Sequence, residues 1–170
     1  RVEKLLADLR EFYLPKIPAR QNVEVKPLLE GMLSLVQEDC EARNIQIRLA
    51  VEDGAHVVAG DPDRLKQVLL NLIKNAMDAM DHGGRLSLTS QDSGDRIDIT
   101  VRDEGCGISE EERDKIFSPF YTTKSDGTGL GLCISKKIIE DHEGGRLSLE
   151  SEKGKGSAFT ISLPKNDPVS

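Results

Sequence analysis

The chain has no tryptophan, two tyrosines and four phenylalanines, so aromatic residues make up only 4% of it. Base-stacking platforms of the kind that hold single-stranded nucleic acid are therefore not expected. Positive charge is also scarce: 23 Lys and Arg stand against 30 Asp and Glu, a formal charge of -7. A non-specific nucleic-acid binder needs a concentrated basic face to displace phosphate counterions, and none is evident. The three cysteines, Cys40, Cys106 and Cys133, are widely separated and form no Cys-x-x-Cys pair. That set excludes a disulfide scaffold and a zinc site, and fits reduced thiols in a cytoplasmic setting. No apolar run reaches bilayer length, and no signal-peptide segment opens the chain. Arg1 rather than Met stands first, so the chain reads as a piece of something longer. Any membrane anchor would lie in the remainder.

What is present is ordinary for a globular domain: 170 residues, 37% hydrophobic and 31% charged. The length suits one compact domain with a short appendage. Val2, Leu5, Leu6, Leu9, Phe12 and Tyr13 share one stripe of an amphipathic helix over residues 1–13. This helix has little of its own domain to pack against. It reads either as a surface helix or, preferably, as the end of a longer bundle helix, with 15–24 as a linker containing Pro15 and Pro18. The domain proper is expected over 25–165, followed by a tail at 166–170.

Within that domain a helix is predicted over 26–43, with Leu28, Leu29, Met32, Leu35 and Val36 on its apolar face. Ile45, Ile47, Leu49 and Val51 alternate with polar residues as a half-buried strand does. Val57 and Val58 make a short strand with His56 at its edge. Asp61 then caps a helix whose first residue is Pro62. Leu65, Val68, Leu69, Leu72, Ile73, Ala76, Met77 and Met80 hold helical spacing for four turns, until Gly83 and Gly84 stop it. Strands are predicted at 85–90 and 95–103, an irregular glycine-rich stretch to 129, a helix over 130–142, and strands at 145–151 and 157–163. This order implies an α+β fold: a two-layer α/β sandwich with a mixed, mostly antiparallel sheet and helices on one face.

Three places carry chemistry. Asn71, Lys74, Asn75 and Asp78 lie opposite the apolar stripe of the strongest helix, with Asn71 and Asn75 one turn apart. Asn is an indifferent helix former, so the pair is either solvated surface or a set of neutral oxygen ligands suited to Mg²⁺. Strict alternation with Ile97, Ile99 and Val101 points Asp103 inward. A buried carboxylate is costly unless satisfied, by turn backbone or by a ligand donor such as an exocyclic amine. Gly105-Cys106-Gly107 follows it. Finally, Gly127-Thr128-Gly129-Leu130-Gly131-Leu132 runs into a helix, either as a mobile surface loop or as a backbone cradle for phosphate. It is neither a Walker A loop nor the dinucleotide fingerprint.

In order along the chain stand Asn71-Leu-Ile-Lys-Asn75, Asp103-Glu-Gly-Cys-Gly107, Ile116-Phe-Ser-Pro-Phe-Tyr-Thr-Thr-Lys124 and Gly127-Thr-Gly-Leu-Gly131. This succession resembles the N, G1, F and G2 boxes of the GHKL nucleotide-binding family, and more narrowly the catalytic and ATP-binding domain of sensor histidine kinases. Gly144-Gly145 and the segment 154–164 continue the resemblance, which covers the chain from about residue 25. It implies ATP and Mg²⁺ as cofactors, with Asn75 on the metal and Asn71 beside the phosphates. It implies that Asp103 recognises adenine through the amine and a water, with Gly105 and Gly107 at the turn next to the base. Gly127, Gly129 and Gly131 would form the phosphate-facing end of the lid, with Phe117 and Phe120 as its hydrophobic latch. Thr122, Thr123 and Lys124 would approach the phosphates or the partner helix. Ile108, Thr128, Leu130, Leu132 and Ser157 join the nucleotide-lining set, and Asn71, Asn75 and Lys124 the catalytic set.

The implied partners are a histidine-phosphotransfer hairpin of the same protein, whose last turns residues 1–13 resemble, a response regulator, and a second copy in the full-length dimer. Two departures matter. Members that hydrolyse ATP carry a Glu base where this chain has Asn71, which cannot take a proton from water at neutral pH. The phosphoacceptor box is absent: His142-Glu143 imitates its opening, but Gly144 and Gly145 follow at once, so His142 reads as a helix C-terminal residue. His82 reads as loop. The alternatives are a protein-serine kinase of the same family, an ATPase, and a nucleotide-binding interaction module without catalysis.

Overall fold

The computed structural model describes residues 2–14, 16–54 and 56–166. Along the chain come helix α1 (Val2–Tyr13), β1 (Gln21–Glu24), α2 (Val25–Ala42), β2 (Ile45–Val51), β3 (Val57–Gly60) and α3 (Pro62–Asp78). There follow β4 (Gly84–Asp92), β5 (Arg96–Asp103), the single turn α4 (Glu110–Arg113), α5 (Gly131–Asp141), β6 (Arg146–Glu152) and β7 (Gly156–Pro164).

Five strands form one sheet in the order β2-β4-β5-β7-β6, with β2 and β4 parallel and the other neighbours antiparallel. The parallel pair requires a crossover, which α3 supplies. Alternation does the rest. On β5, Ile97, Ile99, Val101 and Asp103 are buried while Arg102 is exposed, so one face of the sheet is apolar and takes the helices. Leu65, Leu69, Leu72 and Ile73 of α3 pack there with Leu86, Leu88, Ile97 and Ile99. The expected two-layer mixed sandwich is the fold observed. A second, two-stranded sheet pairs β1 with β3, so the chain already carries regular structure within the stretch read as linker. Of the tail, only Asn166 lies among the described residues, and its N–H donates to the Val57 carbonyl.

Several expectations are corrected. Leu35 is 69% exposed, because the apolar stripe of α2 runs through Leu28, Leu29, Met32 and Val36 and leaves position 35 to one side. Helix α3 ends at Asp78, so Met80 is buried from the following turn rather than from the helix. The stretch after Asp103 contains α4, started by a capping box between Ser109 and Glu112. His56, next to the start of β3 as read, is also buried, with Nδ1 2.6 Å from the Ser90 hydroxyl. Helix α1 does find partners: Leu5, Leu9 and Phe12 pack onto the main core, and Glu11 pairs with Arg64 of α3. No helix among the described residues is long and apolar enough to cross a membrane.

Asp61 starts α3 as expected, accepting the N–H groups of Asp63 at 3.1 Å and Arg64 at 3.3 Å. Its other carboxylate oxygen accepts the Ala19 N–H at 3.0 Å. His142, just past α5, accepts the Asp61 N–H on Nε2 at 3.1 Å and therefore carries its proton on Nδ1, 2.7 Å from the Ile138 carbonyl. One residue thus ties the start of α3, the end of α5 and the segment after α1. Asp61→Ala should destabilise the domain by about 1–2 kcal/mol, the usual cost of a lost helix cap. Urea unfolding measures it, and an unchanged midpoint would show the cap to be idle.

Candidate active site

The site is built from two corners of α3. At its C-terminal end lies Asp103, 4% exposed at the end of β5. Its Oδ1 accepts the Gly105 N–H at 2.8 Å. Burial pushes this carboxyl above the ordinary carboxylate range, although the backbone N–H groups of Gly105 and Ser157 and the charge of Arg102 pull it down. Ser157 stands directly across the strand pair from Asp103.

The turn after Asp103 is held on both sides. The Cys106 N–H donates to the Ala79 carbonyl at 3.1 Å, and the Gly154 N–H donates to the Cys106 carbonyl at 2.7 Å. A Cβ on Gly105 would sit 2.5 Å from the Ala79 oxygen, and one on Gly107, whose φ is +69°, would run into the Glu152 carbonyl. Both glycines are needed for this close approach. Beyond them, the Ile108 N–H donates to the Ser151 hydroxyl at 2.8 Å.

The second corner is the polar face of α3, where Asn71 and Asn75 are both half-buried. The Asn71 amide donates to Ser135 Oγ of α5 at 2.9 Å, and its Oδ1 would lie 2.6 Å from a Cβ on Gly131. Glycine at the first turn of α5 is what lets the two helices close around Asn71. Asn75 Oδ1 accepts from Lys124 Nζ at 2.9 Å, and the same ammonium donates to Asp78 at 2.7 Å. Burial opposes ionisation of Asp78, yet hydrogen bonds from Lys124 and Arg43 hold its carboxyl below the usual range. This clamp contributes stability at neutral pH that is lost as pH falls through the lowered pKa.

Between the corners runs the segment joining β5 to α5. Phe117 meets Phe159 of the sheet edge-on, with ring centroids 6.3 Å apart. The Phe120 side chain is 56% exposed, and with φ at +67° its N–H donates to the Gly129 carbonyl at 2.9 Å. Thr122 folds back on the Lys124 N–H at 3.0 Å, and Thr123 faces solvent. Gly127 abuts the Thr122 hydroxyl, and Gly129 has φ at +73° against the Phe120 backbone. Thr128 donates to Asp8 of α1 at 2.9 Å. Leu130 is fully buried, and Leu132 is half-buried against the core.

Asn71, Asn75, Lys124 and Gly131 thus meet at one corner, and Asp103, Gly105, Gly107, Ile108 and Ser157 at the other. Phe120 and Thr123 join neither. Asp78, on the polar face that helical spacing marks, belongs to the arrangement through Lys124, and so do Asp8 and Ser151, which nothing in their local spacing announces.

Comparison with known proteins shows the family of the chain. Residues 60–167 match the histidine kinase-, DNA gyrase B- and HSP90-like ATPase family. The sensor histidine kinase ZraS of Escherichia coli (strain K12) is 42% identical over 166 residues, covering 98% of this chain and 36% of its own length. The nucleotide-free catalytic domain of histidine kinase ThkA superposes with a TM-score of 0.79 at 37% identity, over 86% of this chain and 95% of that one. ThkA in complex with the response regulator TrrA gives 0.84 at 32% identity, over 98% and 48%. Full-length ShkA bound to AMPPNP gives 0.88 at 27% identity, over 99% and 37%. The chain belongs to the histidine kinase-, gyrase B- and HSP90-like ATPase family, and within it is homologous to the ATP-binding catalytic domains of sensor histidine kinases. It spans about a third of the length of ZraS.

Proposed function

We propose that this chain binds Mg²⁺–ATP between α3 and the β5–α5 segment and presents the γ-phosphoryl group to a histidine on a helical hairpin outside it. The phosphoryl group then passes to an aspartate of a response regulator. The observation that carries the reading is the Asn71–Asn75 face of α3 meeting Lys124 and the start of α5. Such a face offers neutral oxygens, one ammonium and helix N–H groups to a polyphosphate, and positioning with charge neutralisation is most of what phosphoryl transfer needs.

Asn75 is the residue that would hold Mg²⁺. Its Oδ1 already accepts a cation, the Lys124 ammonium, at 2.9 Å. No cluster of three or more His, Cys, Asp or Glu able to hold a metal occurs among the described residues. A single amide oxygen suits Mg²⁺, which takes its other ligands from water and phosphate. When bound, the ion neutralises charge on the phosphates. Lys124 would exchange its contact with Asn75 for the phosphates, while Asn71, anchored by Ser135, orients them. Asp103 accepts from the adenine amine at the other end. With Asn71 at the position of the hydrolytic base, and Asp78 engaged by Lys124 and Arg43 rather than free to activate water, transfer is favoured over hydrolysis.

Calorimetric titration with ADP tests the pocket. Saturable binding that tightens with Mg²⁺ is expected, and absence of binding at millimolar ADP would sink the reading. Incubated alone with Mg²⁺–ATP, the 170-residue chain should form no phosphohistidine, because His56 and His142 are buried and His82 is in a turn. Acid-labile label on the isolated chain would show an acceptor within it.

A further inference from the structure

The base corner contains a hydroxyl whose protons can be counted. Ser151 Oγ on β6 accepts the Ile108 N–H at 2.8 Å, lies 2.9 Å from the Gly156 carbonyl oxygen and lies 2.7 Å from Ser157 Oγ. A serine hydroxyl has one proton and two lone pairs. The Gly156 carbonyl has no proton, so that contact is attractive only when Ser151 supplies its own. Ser151 then has none left for Ser157, and the Ser157 hydroxyl must donate to Ser151. The count closes with one proton given and two received.

Ser157 has thereby committed its only proton, and any further partner of its hydroxyl must be a donor. Its cross-strand neighbour is Asp103, which as a carboxylate also only accepts. The geometry points to Ser151 as a specificity-positioning residue: by capturing the Ser157 proton it makes the Asp103–Ser157 corner acceptor-only. Such a corner takes a purine with a 6-amino group and repels one with a 6-oxo group. This rests on the nucleotide reading above and deepens it. Ser151 acts through Ser157 and through the Ile108 backbone, and need not touch the ligand.

The test uses ADP and IDP, which share sugar and phosphates and differ only at the 6-position and the adjoining N1 proton. Calorimetry on the whole 170-residue chain should show a preference for ADP of roughly ten- to a hundredfold, the scale of one hydrogen bond to a charged group. Ser151→Ala frees the Ser157 proton to turn toward an oxo group, so the preference should narrow about tenfold. Ser151→Thr, which keeps the hydroxyl, should preserve it, and Ser151→Ala should change nothing further in a Ser157→Ala background. A folded Ser151→Ala protein with the wild-type ratio would overturn the proposal. Should that variant fail to fold, Ser157→Ala decides: loss of an acceptor-only hydroxyl must cost ADP more than IDP, and the reverse order overturns the assignment. Wild type that binds neither nucleotide would instead bring down the pocket reading itself, and this inference with it.

Discussion

Asp103→Asn should raise the melting temperature of the nucleotide-free domain and at the same time weaken ADP binding by about 1.5–3 kcal/mol, or roughly ten- to a hundredfold. Both effects come from one cause. The carboxyl is buried at the end of β5, and burial raises its pKa above that of the unfolded chain. A carboxyl with a raised folded-state pKa favours the native state below the unfolded value and loses that contribution as pH rises through the folded value. Above that folded-state value the nucleotide-free domain carries a charge it would be more stable without.

The asparagine removes that charge while keeping an oxygen for the Gly105 N–H. Relief of each kcal/mol should appear as a rise of about 2–4 °C in a domain of this size. The same change places an amide N–H₂ opposite the ligand amine, donor against donor. Melting curves from about pH 4 to 8 should show wild type losing ground to the variant as pH rises. A variant that is less stable throughout, or that binds ADP normally, would show Asp103 to be a structural acid satisfied by its turn.

Asn75→Ala should abolish the Mg²⁺ dependence of nucleotide binding and lower phosphoryl transfer to a supplied hairpin by about 10²–10³-fold, as removal of one preorganised charge-stabilising group does. The fold should survive. Asn75 is half-buried on the polar face of α3, and Lys124 keeps its hydrogen bond to Asp78 when the Asn75 contact is gone. Alanine is also the better helix former by several tenths of a kcal/mol, which offsets part of the lost tie. Retained Mg²⁺ dependence would remove Asn75 from the metal site, and an unfolded variant would mark it as a structural residue.

Much of this architecture is legible in the order of the residues. Three-four spacing locates α3, and Asp61-Pro62 marks its start because capping and a missing N–H are local chemistry. The same period puts Asn71 and Asn75 on one face. Period-two alternation turns Asp103 inward among Ile97, Ile99 and Val101, and the structure buries all four. The glycine run before α5 reads correctly as the entry to a helix. The capping box at Ser109 and Glu112 is equally local and is the signal that locates α4.

Other features have no local signal. Phe120 is apolar and sits in the right motif, yet its side chain faces solvent because its backbone takes φ at +67° to pair with Gly129. Leu35 is spaced to join the apolar stripe of α2, yet the core covers Leu28, Leu29, Met32 and Val36 and leaves it exposed.

Periodicity is a property of neighbours, so residue order alone is enough to set the elements, the face each one buries and the residue types on the open face. It does not say which open faces meet. The Lys124–Asn75 contact joins positions 49 apart, and the Thr128–Asp8 contact joins positions 120 apart. Both depend on how the β5–α5 segment lies across α3 and α1. The Ser151–Ser157 pair depends likewise on β6 and β7 pairing in one register, since a slip of one residue would turn Ser151 to the other face. These contacts belong to the folded chain as a whole, because each is set by the packing of entire elements against a shared core.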